Sequence, residues 1–306
     1  MEPARNLALW AADNRWLREH LVRYRFVRRS VRRFMPGETL VDAIAAAIAL
    51  RERGLPTMFT ALGENVTERA DARRVVEEYR VSYERVAEAR LDTEFSVKPT
   101  HLGLDLDPEV ALANLEELAA KAAETENWLW LDMESSAYVA GTIGLYRKLR
   151  AGHPNVGICL QAYLKRTADD LDSLMPLDPT IRLVKGAYRE PRELVFGSRE
   201  VIDEAYRRLA LLILARKGPV GRLALGTHDV GLVRQIEVDA GGHEGFEVHM
   251  LYGIRQADLL RLATEGHRAR SLISFGTHWY PWFMRRIAEK PVENTLLALR
   301  NLVARG

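Results

Sequence analysis

Eight short apolar runs from residue 56 onward, separated by segments of helical period, set the main constraint on this fold. They are PTMFTALG (56–63), EFSVK (94–98), NWLWLDME (127–134), VGICLQAY (156–163), IRLVKGAY (181–188), RLALGTHD (222–229), FEVHMLYG (246–253) and SLISFG (271–276). The runs are nearly continuous in apolar character, as in parallel strands covered on both faces. Eight such strands alternating with helices predict an α/β chain folded as a (β/α)8 TIM barrel. The main rival is a doubly wound open sheet. No strand here is followed by the glycine-rich phosphate-binding turn of that class.

The helical segments carry start signals. Asn65 to Glu68 reads as a capping box, Asp107-Pro108 as an N-cap with proline at the first helical position, and Thr167 and Ser198 as two further caps. Ahead of the first strand, residues 4–33 read as one or two helices. Residues 38–53 read as another, ending at Gly54 with Pro56 beyond. The expected organisation is an N-terminal helical arm, 1–54, packed on a catalytic barrel, 55–306, as one domain overall.

Net charge is +2, so there is no global electrostatic case for nucleic acid. The basic stretch RYRFVRRSVRRF (23–34) reads as an amphipathic helix that buries Phe26, Val27, Val31 and Phe34 and solvates its arginines. No apolar run approaches the roughly 18–20 residues needed to span a bilayer. The N-terminus lacks a signal-peptide pattern, and the single cysteine, Cys159, reads as a core residue. Together these point to a reducing cytoplasm.

In a barrel of this class the chemistry gathers at the C-terminal ends of the strands. Reading those ends in order gives Lys98; Asp132 and Glu134; Gln161 and Tyr163; Lys185 and Tyr188; Thr227, His228 and Asp229; and Tyr252, with Arg182 opening the fifth run. The chain has only seven lysines, so two at the ends of apolar runs stand out. Asp132, Glu134 and His228 could hold a divalent metal, but Lys98, Lys185 and Arg182 would crowd that space with positive charge. A Schiff base on Lys185 or Lys98, as in an aldolase, leaves Gln161, Arg182, Thr227 and His228 without roles. Cationic and amide donors, with Gly186 for close backbone approach, better suit an extended anionic cofactor such as a flavin dinucleotide.

The segment GTHWYPWFMRRIAEK (276–290) adds two adjacent arginines, Arg285 and Arg286, at the apparent start of a helix entered through Pro281. Near a helix start both guanidinium groups and the macrodipole would favour one small carboxylate. Glu289, three and four residues later, would fix their rotamers.

Six motifs carry a family resemblance: SVKPTHLGLDLD (96–107), WLDMESSAY (130–138), HPNVGICLQAYLKRT (153–167), RLVKGAYREP (182–191), FEVHMLYG (246–253) and WYPWFMRRIAEKP (279–291). In this order the chain resembles the bacterial monofunctional proline dehydrogenases, over about residues 30–303. The resemblance implies a distorted barrel whose last helix sits over the mouth. It also implies FAD-dependent oxidation of L-proline to 1-pyrroline-5-carboxylate, with electrons passed to a quinone. By resemblance Asp132 and Arg182 are catalytic, with Arg182 near the flavin. Lys98, Tyr188, Arg285, Arg286 and Glu289 bind substrate. Met133, Gln161, Arg182, Lys185, Gly186, Ala187, Thr227 and His228 contact FAD. A buried Lys98–Asp132 pair is expected to tune charge at the reacting centre. Quinone reduction implies transient peripheral contact with the inner membrane from the cytoplasmic side. No resident metal and no nucleic-acid partner are expected, and the oligomeric state is left open.

Four positions depart from the family pattern. Where members carry a tyrosine-containing RVYVPYG, this chain has RSLISFG (270–276), so the tyrosine that packs on the substrate ring falls at Leu272. A second pocket tyrosine falls at Trp282, and a leucine and a glutamine near Lys98 become Pro99 and His101. A larger or modified ring such as hydroxyproline is the alternative substrate these changes raise.

Overall fold

The computed structural model describes residues 30–289, apart from the Glu289 side chain, together with Leu7, Ala8, Trp10, Ala11, Asn14, Trp16, Leu17 and His20. Most of the expected helical arm at 4–33 lies outside the described residues. Among them, eight strands run parallel and close on themselves in sequence order: β1 (Thr57–Ala61), β2 (Thr93–Val97), β3 (Leu129–Leu131), β4 (Val156–Gln161), β5 (Thr180–Val184), β6 (Leu223–Gly226), β7 (Glu247–Leu251) and β8 (Arg268–Phe275). Closure is made by β1 against β8, with Thr57 opposite Ser271 and Ala61 opposite Phe275.

The covering helices are α1 (Leu40–Arg51), α2 (Arg69–Glu88), α3 (Pro108–Glu124), α4 (Val139–Gly152), α5 (Thr167–Leu174), α6 (Arg199–Arg216), α7 (Val230–Ala240) and α8 (Gln256–Thr264). A last helix, α9 (Trp279–Glu289), follows β8. Two cap expectations hold: Asp107 accepts from the Glu109 amide ahead of Pro108, and the Ser198 hydroxyl accepts from the Val201 amide. Two are corrected. Glu68 caps α2 without a side-chain bond, because Asn65 is turned into the left-handed region (φ 55) and donates to Asp105 and Tyr138. Thr167 is the first residue of α5 and its hydroxyl donates to the Gln161 carbonyl instead of capping.

The main apolar core lies between strands and helices. Ala43, Ala47 and Leu50 of α1 belong to it, so this helix is part of the barrel's cover. Inside the barrel the apolar content is thin: Met58, Trp130 and Ala224, with Leu272 and Trp128 packed against them. Trp130 divides two polar layers. Toward the base its indole N–H donates to Glu94 (2.6 Å), within a cluster of Glu94, Arg222, Glu247 and Arg270. Toward the mouth the Arg182 guanidinium lies over its ring at 5.4 Å.

Candidate active site

The mouth is built from strand ends. Arg182, the third residue of β5, is 3% exposed and points into the barrel. Its Nη2 donates to the Ser96 hydroxyl (2.8 Å) and pairs with Asp132 Oδ1, its Nη1 reaches Met58 Sδ (2.7 Å), and Ser96 Oγ donates to the same Asp132 oxygen (2.8 Å). Asp132 is thus oriented by two donors from β2 and β5. This corrects the expected Lys98–Asp132 pair. Arg182 is buried closer to the carboxylate, and its planar fork can serve Asp132, Ser96 and Met58 at once where a lysine could not. Lys98 is 8% exposed, and among the described residues its ammonium makes no ion pair or hydrogen bond. It lies close enough to Glu134 and His101 to act on both electrostatically.

Glu134 is 2% exposed and is held at both oxygens by Thr100, through the amide (3.1 Å) and the hydroxyl (2.6 Å). Burial nonetheless raises its carboxyl to about 7, with the Thr100 bonds and Lys98 opposing. A stability consequence follows. In the unfolded chain a glutamate ionises near about 4.3. Between that value and about 7 the folded protein holds one more proton than the unfolded chain. This group therefore destabilises the fold increasingly as pH rises through that window. Glu134→Gln removes the effect, so the variant's Tm relative to the parent should be more favourable at pH 8 than at pH 5. A pH-independent difference in paired thermal melts would contradict this.

Gln161, at the end of β4, donates to the Met133 carbonyl (2.9 Å) and the Glu134 carbonyl (2.7 Å). Its Oε1 is buried with no hydrogen-bond partner among the described residues. Lys185 pairs with Asp203 and with Asp229 (3.1 Å), which Arg199 also reaches. Thr227 Oγ1 accepts from the Asp229 amide (3.1 Å), and the His228 carbonyl accepts from Arg255 (3.1 Å). Gly186 has φ 117, and a Cβ there would lie 2.2 Å from the Tyr163 ring. That space belongs to Tyr163, and the positive φ independently calls for glycine here. Ala187 follows it, half-buried, before Tyr188.

The paired arginines require the largest correction. They are the seventh and eighth residues of α9, about two turns in, so neither the free amides of a helix start nor the positive end of the macrodipole is beside them. The helix begins earlier because Trp279 and Tyr280 are buried against Val31, Phe34, Met35, Leu62 and Ile254, which fixes its first turn. The side chains also part. Arg285 makes a two-point pair with Glu64, at 3.1 and 3.0 Å, and lies over the Tyr188 ring at 5.1 Å. Arg286 lies over Trp282 at 5.9 Å. The Glu289 side chain lies outside the described residues, so its expected role is untouched. Leu272 packs inside the barrel beside Met58 and Trp130, and Trp282 is buried in the aromatic cluster of α9.

Desolvation raises the Tyr188 phenol; Arg285 opposes, and the carboxylates of Glu64, Glu134 and Asp132 add to the rise. These groups therefore surround one space, which Arg285 enters from α9. Sequence reasoning missed Glu64 and Ser96. Glu64 lies three residues past the end of β1, where the strand-end reading that found Lys98 would have found it. Ser96 carries no signal beyond its place in β2.

A closed parallel barrel with buried cations and oriented carboxylates at the strand ends has the architecture of a (β/α)8 enzyme. The family model described as Proline dehydrogenase matches residues 43–295. Proline dehydrogenase 1 of Bacillus subtilis (strain 168) is 33% identical over 303 residues, covering 98% of this chain and 99% of that protein. Proline dehydrogenase of Deinococcus radiodurans is 34% identical over 268 residues, covering 85% and 86%. Among solved structures, proline utilization A (PutA) of Bdellovibrio bacteriovorus, inactivated by N-propargylglycine, superposes with a TM-score of 0.77 at 19% identity over 92% of this chain. A PutA variant of Bradyrhizobium japonicum gives 0.74 at 25% identity over 88%. The chain spans 38% and 31% of the length of these two longer proteins. The chain belongs to the proline dehydrogenase family, oxidoreductases that act on proline.

Proposed function

We propose that this protein is an FAD-dependent proline dehydrogenase that oxidises L-proline to 1-pyrroline-5-carboxylate and passes the electrons to a quinone. The observation that carries the cofactor is Gln161 Oε1, a buried acceptor left without a partner beside a mouth rich in donors. A buried acceptor of this kind is normally satisfied, and a heterocyclic N–H is a group it suits. The donor set fits the rest of such a molecule. Met133, Gln161 and Arg182 would hold the ring, while Lys185, Gly186, Ala187, Thr227 and His228 would hold its extension. Lys185 and Thr227 are tied to Asp229, which fixes their places in advance. When bound, the flavin supplies a two-electron acceptor.

The chain's own residues then supply binding, orientation and charge. Lys98 and Arg285 attract the substrate carboxylate, with Arg286 beside them. Asp132 is fixed by Arg182 and Ser96 through Oδ1, and its Oδ2 has no hydrogen bond among the described residues. That oxygen is the group on hand to offset positive charge as the ring amine becomes an iminium ion. Tyr188, under Arg285, walls the pocket from solvent. At Lys185 the Schiff-base alternative is disfavoured because two carboxylates already hold its nitrogen. Quinone reduction leaves the peripheral membrane contact as part of the same proposal. No described helix is long and apolar enough to cross a membrane.

The experiment is a spectrum of the purified protein followed by anaerobic addition of L-proline. An oxidised-flavin spectrum that bleaches with proline and recovers with a soluble quinone is expected. A colourless protein with no proline-dependent quinone reduction would sink the proposal. Substrate choice is tested separately. Leu272 and Trp282 remove two hydroxyls but keep much of the apolar volume, and such exchanges are usually tolerated. L-Proline is therefore expected to show the highest kcat/KM among proline, 4-hydroxyproline and pipecolate. A higher value for hydroxyproline would reassign the substrate.

A further inference from the structure

At the base of the barrel, remote from the mouth, three side chains converge from separate elements. Glu237 lies near the end of α7, His243 in the turn that leads into β7, and His267 immediately before β8. His243 Nδ1 is 3.3 Å from Glu237 Oε1, and His267 Nε2 is 3.4 Å from Glu237 Oε2. The two imidazoles stack at 4.4 Å with 25° between their planes. One nitrogen or oxygen from each residue falls within 4.8 Å of the other two.

His267 is the informative member. It is 4% exposed, and its Nδ1 is 3.2 Å from the Leu262 carbonyl, which can only accept. The ring proton therefore sits on Nδ1, and in the neutral ring Nε2 carries the lone pair. That lone pair is buried, makes no hydrogen bond among the described residues, and lies beside a carboxylate. Two acceptors facing each other in a buried site are unfavourable without a cation between them. A histidine whose far nitrogen is held by a backbone carbonyl is also the usual arrangement of a metal ligand.

We propose that Glu237, His243 and His267 form a site for one divalent cation of the zinc type, completed by water. Nitrogen and oxygen ligands about 2.0–2.1 Å from a tetrahedral zinc lie roughly 3.3–3.4 Å apart. His243 Nδ1 lies about that far from Oε1 (3.3 Å) and His267 Nε2 from Oε2 (3.4 Å), so each histidine stands one ligand edge from its own oxygen of the shared carboxylate. Gly266 (φ 97) leaves room for the His243 ring, since a Cβ there would lie 3.3 Å from Nε2. His267 also lines a cavity of about 450 Å³ at the barrel base. Arg234, 2.7 Å from Glu237 Oε2, is the group the ion competes with. The ion would tie α7 to the starts of β7 and β8, a structural role suited to this face of a barrel.

The test is calorimetric titration of zinc chloride into the chelator-treated full chain, with thermal melts in parallel. One ion per chain is expected, with a rise in Tm. His243→Ala, on the half-exposed rim, and His267→Asn, which keeps a donor near the Nδ1 position, should each weaken binding more than about tenfold. They should also abolish the zinc-dependent rise. No saturable binding, or binding unchanged in stoichiometry and affinity in both variants, would overturn the site in favour of simple ring packing.

Discussion

Replacing Arg285 by methionine is expected to lower kcat/KM for L-proline by about 100-fold or more, chiefly through KM. Arg285 is half-buried and presents its fork to a carboxylate already, that of Glu64. A substrate carboxylate entering the same space has to share or take over that fork. Truncating one partner of such a pair costs roughly 2–5 kcal/mol, much of it from the anion left behind. Here the anion that loses its two-point partner is Glu64, so the variant should repel the substrate carboxylate as well as fail to bind it. Removing both charges separates the two effects. The double variant Arg285→Met with Glu64→Gln should recover part of the affinity, because the repulsion is gone while the fork remains absent. Steady-state kinetics over a wide proline range reads both outcomes. An unchanged KM in the single variant would show that Arg285 does not meet the substrate.

The second large effect is expected at Asp132, where replacement by alanine should cost about 3–5 kcal/mol of stability in denaturant unfolding. Arg182 is 3% exposed, and besides Asp132 the described residues give it the Ser96 hydroxyl, the Met58 sulfur, the Cys159 thiol and the Trp130 face as close neighbours. Losing the carboxylate leaves a guanidinium inside the barrel without its paired counter-charge, with Glu94 acting on it only beyond contact. Asp132→Asn keeps an acceptor for Ser96 and Arg182 and should lose less stability, yet turnover should fall in both variants because both lack the negative charge. Equal stability in the alanine variant and the parent would mean that Arg182 finds another anion, and the account of the mouth would be wrong.

The strands were legible because parallel strands buried on both faces leave runs of apolar residues that little else produces. Each of the eight runs overlaps a strand of the barrel, with β2, β5 and β8 beginning one to three residues ahead of theirs. Partnerships were less legible. Lys98 was matched with Asp132 through the resemblance, whereas the pairing with Arg182 depends on how β2 and β5 face each other across the barrel and on Ser96 between them. The arginines of α9 were read too close to its start: Pro281 does fall in the first turn, as the third residue, but Arg285 and Arg286 follow four and five residues later, a full turn beyond it. Glu64 was missed for a plainer reason: the first strand's end was not read as part of the mouth.

The aromatic packing under α9 carries a last consequence. Trp279, Tyr280, Trp282 and Phe283 form a cluster with Val31, Phe34, Met35, Leu62 and Ile254 that is separate from the main core between strands and helices. Arg285 and Arg286 are therefore anchored to a satellite nucleus, whereas Asp132, Arg182 and Gln161 are anchored to the barrel itself. Units with separate cores can open with separate free energies. In mild denaturant, grip on the substrate carboxylate should fade before the barrel unfolds, leaving a protein that holds its strands and their buried charges but is blind to proline.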